Sequence, residues 1–378
     1  MTPTTTSTTR PLLERVARIS STVAETAALH DRDATFVDEA FAALRAEGLL
    51  AAAVPAELGG DGATIRDVAA MQQELGRYCG STALASAMHQ HVTAFTSWRY
   101  RRGMPGAEPT LRRVVNDGIV LVSTGGGDFT HPRGNATKAE GGYRVSGTKL
   151  FASQGPVGTA MSTMFTYDDP KQDRRVLNMS VPLADDGIEV IGNWDTLGMR
   201  GTGSGDIVVD DVFVPDERVL ANRPYGVIDG PLQVILSISM PIISAVYLGI
   251  ARSAMDAAIS ASATKAHDPI VQRQVGVMQH RIRVAQWALD GALDAIGDDP
   301  DPSEEAMMAA LTAKREVVSA ASEVCDLAID VAGGAAFHKG SIIERAYRDV
   351  RAGAFHPLTP EQTLRRSGQS ALGIPTDV

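Results

Sequence analysis

Strand-like segments in this chain are confined to its middle third. Residues 118–124 (GIVLVST), 143–153, 176–181, 188–191 and 207–214 are short, rich in β-branched residues and separated by Gly, Asp or Pro, as strands of a small antiparallel sheet or barrel would be. On both sides the pattern is helical. Phe36, Val37, Ala40, Phe41 and Leu44 share one helix face, and the Gly/Pro-rich stretch 54–62 interrupts as a loop. Long helical periods return from about residue 230, with Ser303-Glu304-Glu305 opening one helix and Gly333-Gly334 closing it. Such segregation argues against alternating βαβ units, and no GxGxxG follows a strand, so a doubly wound nucleotide-binding sheet is not expected. The boundaries expected are a disordered tail over 1–10, a helical domain over 11–110, a β-domain over 111–222 and a helical bundle over 223–378.

Composition narrows the function classes. With 35 Lys plus Arg against 45 Asp plus Glu, a net charge of -10 and no long basic run, nucleic acid is not an expected partner. The two cysteines, Cys79 and Cys325, show no CxxC spacing, so neither a disulfide framework nor a zinc site is expected, and no metal. The N-terminal MTPTTTSTTR has no charged-then-apolar secretory pattern, and a cytoplasmic protein is expected. Residues 231–251 carry no charge and are about long enough to cross a bilayer. Gln233, Ser237, Ser239 and Ser244 interrupt the run and Pro241 sits at its middle, so it reads as a helix buried in a large helical core, with no membrane.

Local strings then identify a family. VPAELGGDG (54–62), GGYRVSGTKLFAS (141–153), LGMRGTGSGDIVVDDVFVP (197–215) and GGAAFHKGSIIERAYRDVRA (333–352) resemble, in order, the signatures of the acyl-CoA dehydrogenase superfamily. The resemblance spans nearly the whole chain. It implies an α+β fold with an N-terminal all-α domain, a middle β-barrel or sheet domain and a C-terminal four-helix bundle. It also implies a flavin cofactor, FMN or FAD, and a homotetramer.

The resemblance carries roles onto particular residues. Phe151, Ala152 and Ser153 match the motif whose aromatic packs on the isoalloxazine ring and whose hydroxyl residue bonds flavin N5; strand alternation is expected to put Phe151 and Ser153 on one face. Ser123, Thr124 and Gly125 fall where the dehydrogenases touch the flavin pyrimidine, here followed by two more glycines that permit close backbone approach. Gly333 and Gly334 match the pair through which a neighbouring subunit reaches the distal end of the flavin, and Gln274 matches a family Gln. The Arg that dehydrogenases place on the FAD diphosphate falls at Ala263, and Lys265 is the nearby substitute. Arg200, in a Gly-rich turn, is read as structural.

The base decides the reaction. Removing the α-proton of an acyl-CoA needs a carboxylate near that carbon. Counted from Arg348-Asp349, the family's Tyr-Glu falls on His356-Pro357, and the alternative base position, counted back from Pro241, falls on Gln233. Neither is a carboxylate. A histidine in that place resembles the reduced-flavin-dependent monooxygenases of the superfamily, of the dibenzothiophene monooxygenase and hydroxylase type, in which flavin reduced by a separate reductase meets O2. His356 is thus the leading catalytic candidate, since an imidazole titrates near neutrality, with His91 as the second. His89, Gln233 and Phe355 are candidate substrate contacts, and Glu361 a candidate displaced base. His89 and His91, two apart on a helix, cannot both face the pocket. The expected activity is a two-component monooxygenase acting on an aromatic, heterocyclic or amine small molecule. The alternatives are an acyl-CoA dehydrogenase with a non-standard base and a flavin-binding paralogue without turnover.

Overall fold

A computed structural model of the protein describes residues 8–376. The tail expected over 1–10 therefore lies mostly outside the described residues, whereas Thr9 and Arg10 already belong to a helix. Helices come first: α1 (Thr9–Asp33), α2 (Asp38–Ala46), α3 (Ile65–Tyr78), α4 (Gly80–Arg101) and α5 (Ala107–Asn116). Strands follow: β1 (Leu121–Ser123), β2 (Asn135–Ala139), β3 (Gly142–Lys149), β4 (Ala160–Tyr167), β5 (Arg175–Pro182), β6 (Ile188–Val190), β7 (Ile207–Pro215) and β8 (Val219–Pro224). The chain returns to helix as α6 (Gly230–Ala261), α7 (Pro269–Ile296), α8 (Glu304–Ala332), α9 (Ile342–Asp349) and α10 (Pro360–Ala371).

The strands form one sheet in the order β6-β7-β3-β2-β4-β5-β8, with β1 also on β4. It is not wholly antiparallel as expected: β1 and β2 both run parallel to β4. Turn signals report only hairpins between neighbours, and a parallel pair needs a longer connection whose course no local residue records.

Caps follow the side-chain chemistry. Ser303 accepts a bond from the Ala306 N–H at 3.2 Å to start α8, and Gly333 ends that helix at φ 75, as the sequence predicts. Thr64 and Asp67 close a capping box on α3. The uncharged run forms most of α6, and 94% of its most apolar window is buried inside the helical core. That burial on all sides accounts for its composition. Against α3 the backbones meet directly: a Cβ on Gly76 would lie 2.6 Å from the Val246 carbonyl, and one on Gly249 2.1 Å from that of Gln73.

One charged cluster joins distant parts of the chain. Arg348 on α9 pairs with Asp31 of α1 at 2.6 Å and with Glu344 at 2.6 Å, while the buried Asp349 accepts the Met199 N–H at 2.6 Å. Arg200 binds the carbonyls of Asp31 (2.6 Å) and Thr196 (2.9 Å), which is the structural part the sequence predicts for it.

Candidate active site

Three segments far apart in sequence converge at the end of β1. The Gly125 N–H donates to the Leu150 carbonyl at 2.8 Å, and a Cβ on Gly125 would come within 3.2 Å of the Phe151 ring. A Cβ on Gly126 would lie 2.1 Å from Pro357 Cγ. The glycine run, the end of β3 and the loop carrying His356 therefore form one cluster. Beneath it, Lys149 and Asp128, 0% and 2% exposed, pair at 3.1 Å, and the ammonium also binds the Arg133 and Met164 carbonyls. Burial presses the Lys149 ammonium below its usual range while Asp128 opposes the shift. The pair fixes the loop that follows Gly125.

Phe151 and Ser153 are not on one strand face, which corrects the expectation from alternation. β3 ends at Lys149, and Phe151 takes a left-handed φ of 56, so its side chain turns outward, 56% exposed, with Trp194 edge-on at 6.1 Å. A non-glycine residue in that region carries a backbone cost. Ser153 is buried and hydrogen-bonds Ser204 Oγ at 2.8 Å. Ser204 Oγ lies in turn 2.7 Å from Thr202 Oγ1, which reaches the Met199 carbonyl at 2.9 Å, so Ser153 heads a chain of three hydroxyls.

His356 is partly buried, and its Nε2 lies 2.6 Å from the hydroxyl of Tyr247, fully buried on α6; with no other acceptor beside it among the described residues, the phenol is assigned as the donor. Burial first, then Lys314 and His91, push the His356 imidazole down to about 3, and burial lifts the Tyr247 phenol well above its usual range. A neutral ring accepting at Nε2 carries its proton on Nδ1. Lys314 Nζ holds the loop by donating to the carbonyls of His356 and Leu358, each at 2.6 Å. Burial lowers that ammonium to about 8.

A cavity of about 240 Å³ opens between α4, the sheet and the start of α6. His91, Ser123 and Thr124 stand in its wall, and Thr124 Oγ1 is fixed by Thr163 Oγ1 at 2.8 Å. Nδ1–H of His91 donates to the Ala87 carbonyl at 3.1 Å, which leaves Nε2 unprotonated, and burial lowers this ring to about 4. His89 faces elsewhere, as the two-residue spacing requires. Its Nε2–H donates to the Leu50 carbonyl at 2.8 Å and its Nδ1 accepts the Leu121 N–H at 3.0 Å, so no nitrogen remains for a substrate. Burial lowers it also to about 4.

Other candidates lie outside the cavity wall. Gln233 points to Glu304 at 3.4 Å, and that carboxylate is held by Arg366 at 2.7 Å. Phe355 is 79% exposed, and Glu361 is exposed in the first turn of α10. Gln233, Phe355 and Glu361 thus stand outside this cavity's wall, as His356 does, and His89 keeps no open ring nitrogen. Lys265 Nζ lies 3.6 Å from where a Gly333 Cβ would be, Gly334 is open, and Gln274 is half-buried at the start of α7; none of them stands in the cavity wall. Ala152 is buried between Phe151 and Ser153. Sequence reasoning missed Tyr247, Lys314 and the Ser204–Thr202 chain; a lone phenol within the uncharged run was the one visible signal. Among the described residues no His/Cys/Asp/Glu group could hold a metal.

These surroundings fit a flavin. A side-chain-free run permits close approach to a flat ring, a bare aromatic waits beside it, and Ser153 Oγ offers an acceptor for a ring N–H.

The comparisons agree with that fit. The model of the acyl-CoA dehydrogenase N-terminal domain matches residues 6–100 and that of the C-terminal domain residues 241–361. L-evernosamine nitrososynthase of a Micromonospora species is 28% identical over 97% of this chain and 91% of its own length. Amino sugar nitrososynthase DnmZ of Streptomyces peucetius is 29% identical over 96% and 93%. The crystal structure of KijD3 with FMN and dTDP-3-amino-2,3,6-trideoxy-4-keto-3-methyl-D-glucose is 31% identical, with a TM-score of 0.89, over 98% of this chain and 95% of that one. The chain belongs to the acyl-CoA dehydrogenase superfamily and is a flavin-dependent oxidoreductase.

Proposed function

We propose that the protein is a monooxygenase that uses reduced FMN and O2 to oxidise a small substrate at an amine nitrogen. The observation that carries this reading is the cavity wall: it contains no carboxylate, and the dehydrogenase base position is Pro357, packed on Gly126. An α-proton abstraction has no base there. Reduced flavin supplies, when bound, the electrons that let one atom of O2 enter the substrate while the other leaves as water.

The protein's own groups then divide the proton handling. His91 Nε2, neutral and unpartnered among the described residues, accepts a hydrogen bond from the substrate nitrogen and so orients it. His356, whose Nε2 meets the Tyr247 hydroxyl at 2.6 Å, offers its Nδ1–H as a donor. Ser153 Oγ can accept from a reduced ring that bears N–H. The amine is supported by the relatives named as amino sugar nitrososynthases, and FMN by the KijD3 complex together with Ala263 at the diphosphate Arg position. A homotetramer is proposed on the exposed Ile270 and Trp287 of α7 and Phe337 beyond α8, 68%, 65% and 81% bare. A separate reductase follows from the need for flavin already reduced.

The test mixes the protein with reduced FMN, oxygen and a panel of amines, and measures oxidised product against hydrogen peroxide. Product that depends on the protein is expected. Anaerobic bleaching of the oxidised holoenzyme by an acyl-CoA would overturn the proposal.

A further inference from the structure

Arg99 is 6% exposed at the C-terminal end of α4, and its guanidinium makes one hydrogen bond, from Nη2 to the Pro105 carbonyl at 3.1 Å. Among the described residues no carboxylate pairs with it, and burial alone lowers its affinity for its proton. A guanidinium stays charged under any such shift, and a charge so buried is costly without a counter-ion. Arg99 lines the same cavity as His91. The second guanidinium in that wall, Arg223, is by contrast engaged: it donates to Asn178 (2.8 Å) and the Phe129 carbonyl (2.7 Å) and faces Asp229 at 3.4 Å. Of the two, Arg99 is the one that keeps most of its five donors without a partner among the described residues.

The wall between the two ends is mostly apolar, with Thr96, Ser162 and Asn178 among its polar members. Phe95, stacked on Trp98 at 5.4 Å, lies between His91 and Arg99 on the helix face, with Met161 and Ile235 also in the wall. His91 and Arg99 are eight residues apart on α4, which at the helical rise is about 12 Å along the axis. We infer that Arg99 seats an oxyanion of the substrate, so that the molecule taken is largely apolar, with a carboxylate or phosphate set apart from the atom oxidised at His91. This deepens the proposed function and rests on its use of this cavity as the substrate chamber.

Binding to the oxidised FMN-loaded protein tests it without turnover. Calorimetry compares indole-3-acetate with the neutral indole-3-acetamide, and phenyl phosphate with phenol. At least one anion is expected to bind about tenfold or more tighter than its neutral counterpart, as charge-assisted bidentate bonds provide, and the pair that shows the preference separates carboxylate from phosphate. Arg99→Gln is expected to erase the preference and Arg99→Lys to keep part of it. Equal binding of both pairs by the wild-type protein overturns the inference, as does a preference that survives in Arg99→Gln. The wild-type comparison stands even if a variant does not fold. A protein that oxidised no amine yet kept the Arg99-dependent preference would lose the oxygenase reading and retain this one.

Discussion

Pro357 closes on Gly126 so tightly that a methyl group on the glycine would lie 2.1 Å from the proline Cγ. Both residues depart from the dehydrogenase pattern, and each departure accommodates the other. Gly126→Ala is expected to displace the His356 loop and lower both flavin affinity and turnover by on the order of tenfold or more. Gly126→Ala combined with Pro357→Ala, which removes the clashing ring, is expected to recover much of the flavin affinity. Fluorescence titration with FMN checks this, and a double variant no better than the single one refutes it.

Tyr247 determines which nitrogen of His356 bears the proton. Tyr247→Phe is expected to lower product formed per oxygen consumed by roughly threefold to tenfold, with peroxide rising to match. Flavin binding is expected to stay near wild type. His356→Ala is expected to show the same split more strongly. Unchanged yield in both variants removes His356 from the chemistry.

Ser204 Oγ holds Ser153 Oγ at 2.8 Å. Ser204→Ala frees the Ser153 hydroxyl to donate toward a bound ring and so to favour the oxidised form. The midpoint potential of the bound flavin is expected to fall, as read by spectroelectrochemical titration; an unchanged or higher potential refutes a role for Ser153 at the ring.

Acid is expected to destabilise the fold before carboxylates are titrated out. His89 and His91 sit at about 4 and His356 at about 3, all lowered from 6.5. Because the unfolded chain binds these protons first, the histidine contribution is complete above about pH 6.5 and is lost as pH falls toward 4. Each additional proton taken up by the unfolded chain contributes up to about 1.4 kcal/mol per pH unit. Asp349, raised by burial to about 6 from 3.8, has the opposite sign: its contribution is present at low pH and lost as pH rises through about 6. It offsets one imidazole between pH 4 and 6, and the net trend remains a loss. Thermal midpoints measured from pH 7 to 4 should decline; a flat profile contradicts the burial of these rings.

Asp128→Ala leaves the Lys149 ammonium buried on carbonyls alone. A loss of about 3–5 kcal/mol is expected. Adding Lys149→Met should restore part of it, and urea denaturation measures both.

Local chemistry was legible in the sequence and long-range chemistry was not. Ser303 and Gly333 cap α8 as read because a cap involves residues a turn apart. His89 and His91 divide between packing and cavity because two-residue spacing splits a helix face. Phe151 and Ser153 defeated the alternation rule because β3 stops at Lys149 and the backbone turns left-handed at Phe151, a choice made by the glycine loop beside it. The open donors of Arg99 and the phenol of Tyr247 depend on what the sheet and the His356 loop bring to them, and no local pattern records either. The flavin and the helix–sheet–helix architecture were legible through four motifs of the superfamily.

The Arg348–Asp31 bridge spans 317 positions of the chain. Two helices near opposite ends of the chain are thereby fastened to each other, so a product truncated ahead of α9 would leave the Asp31 carboxylate without its guanidinium partner.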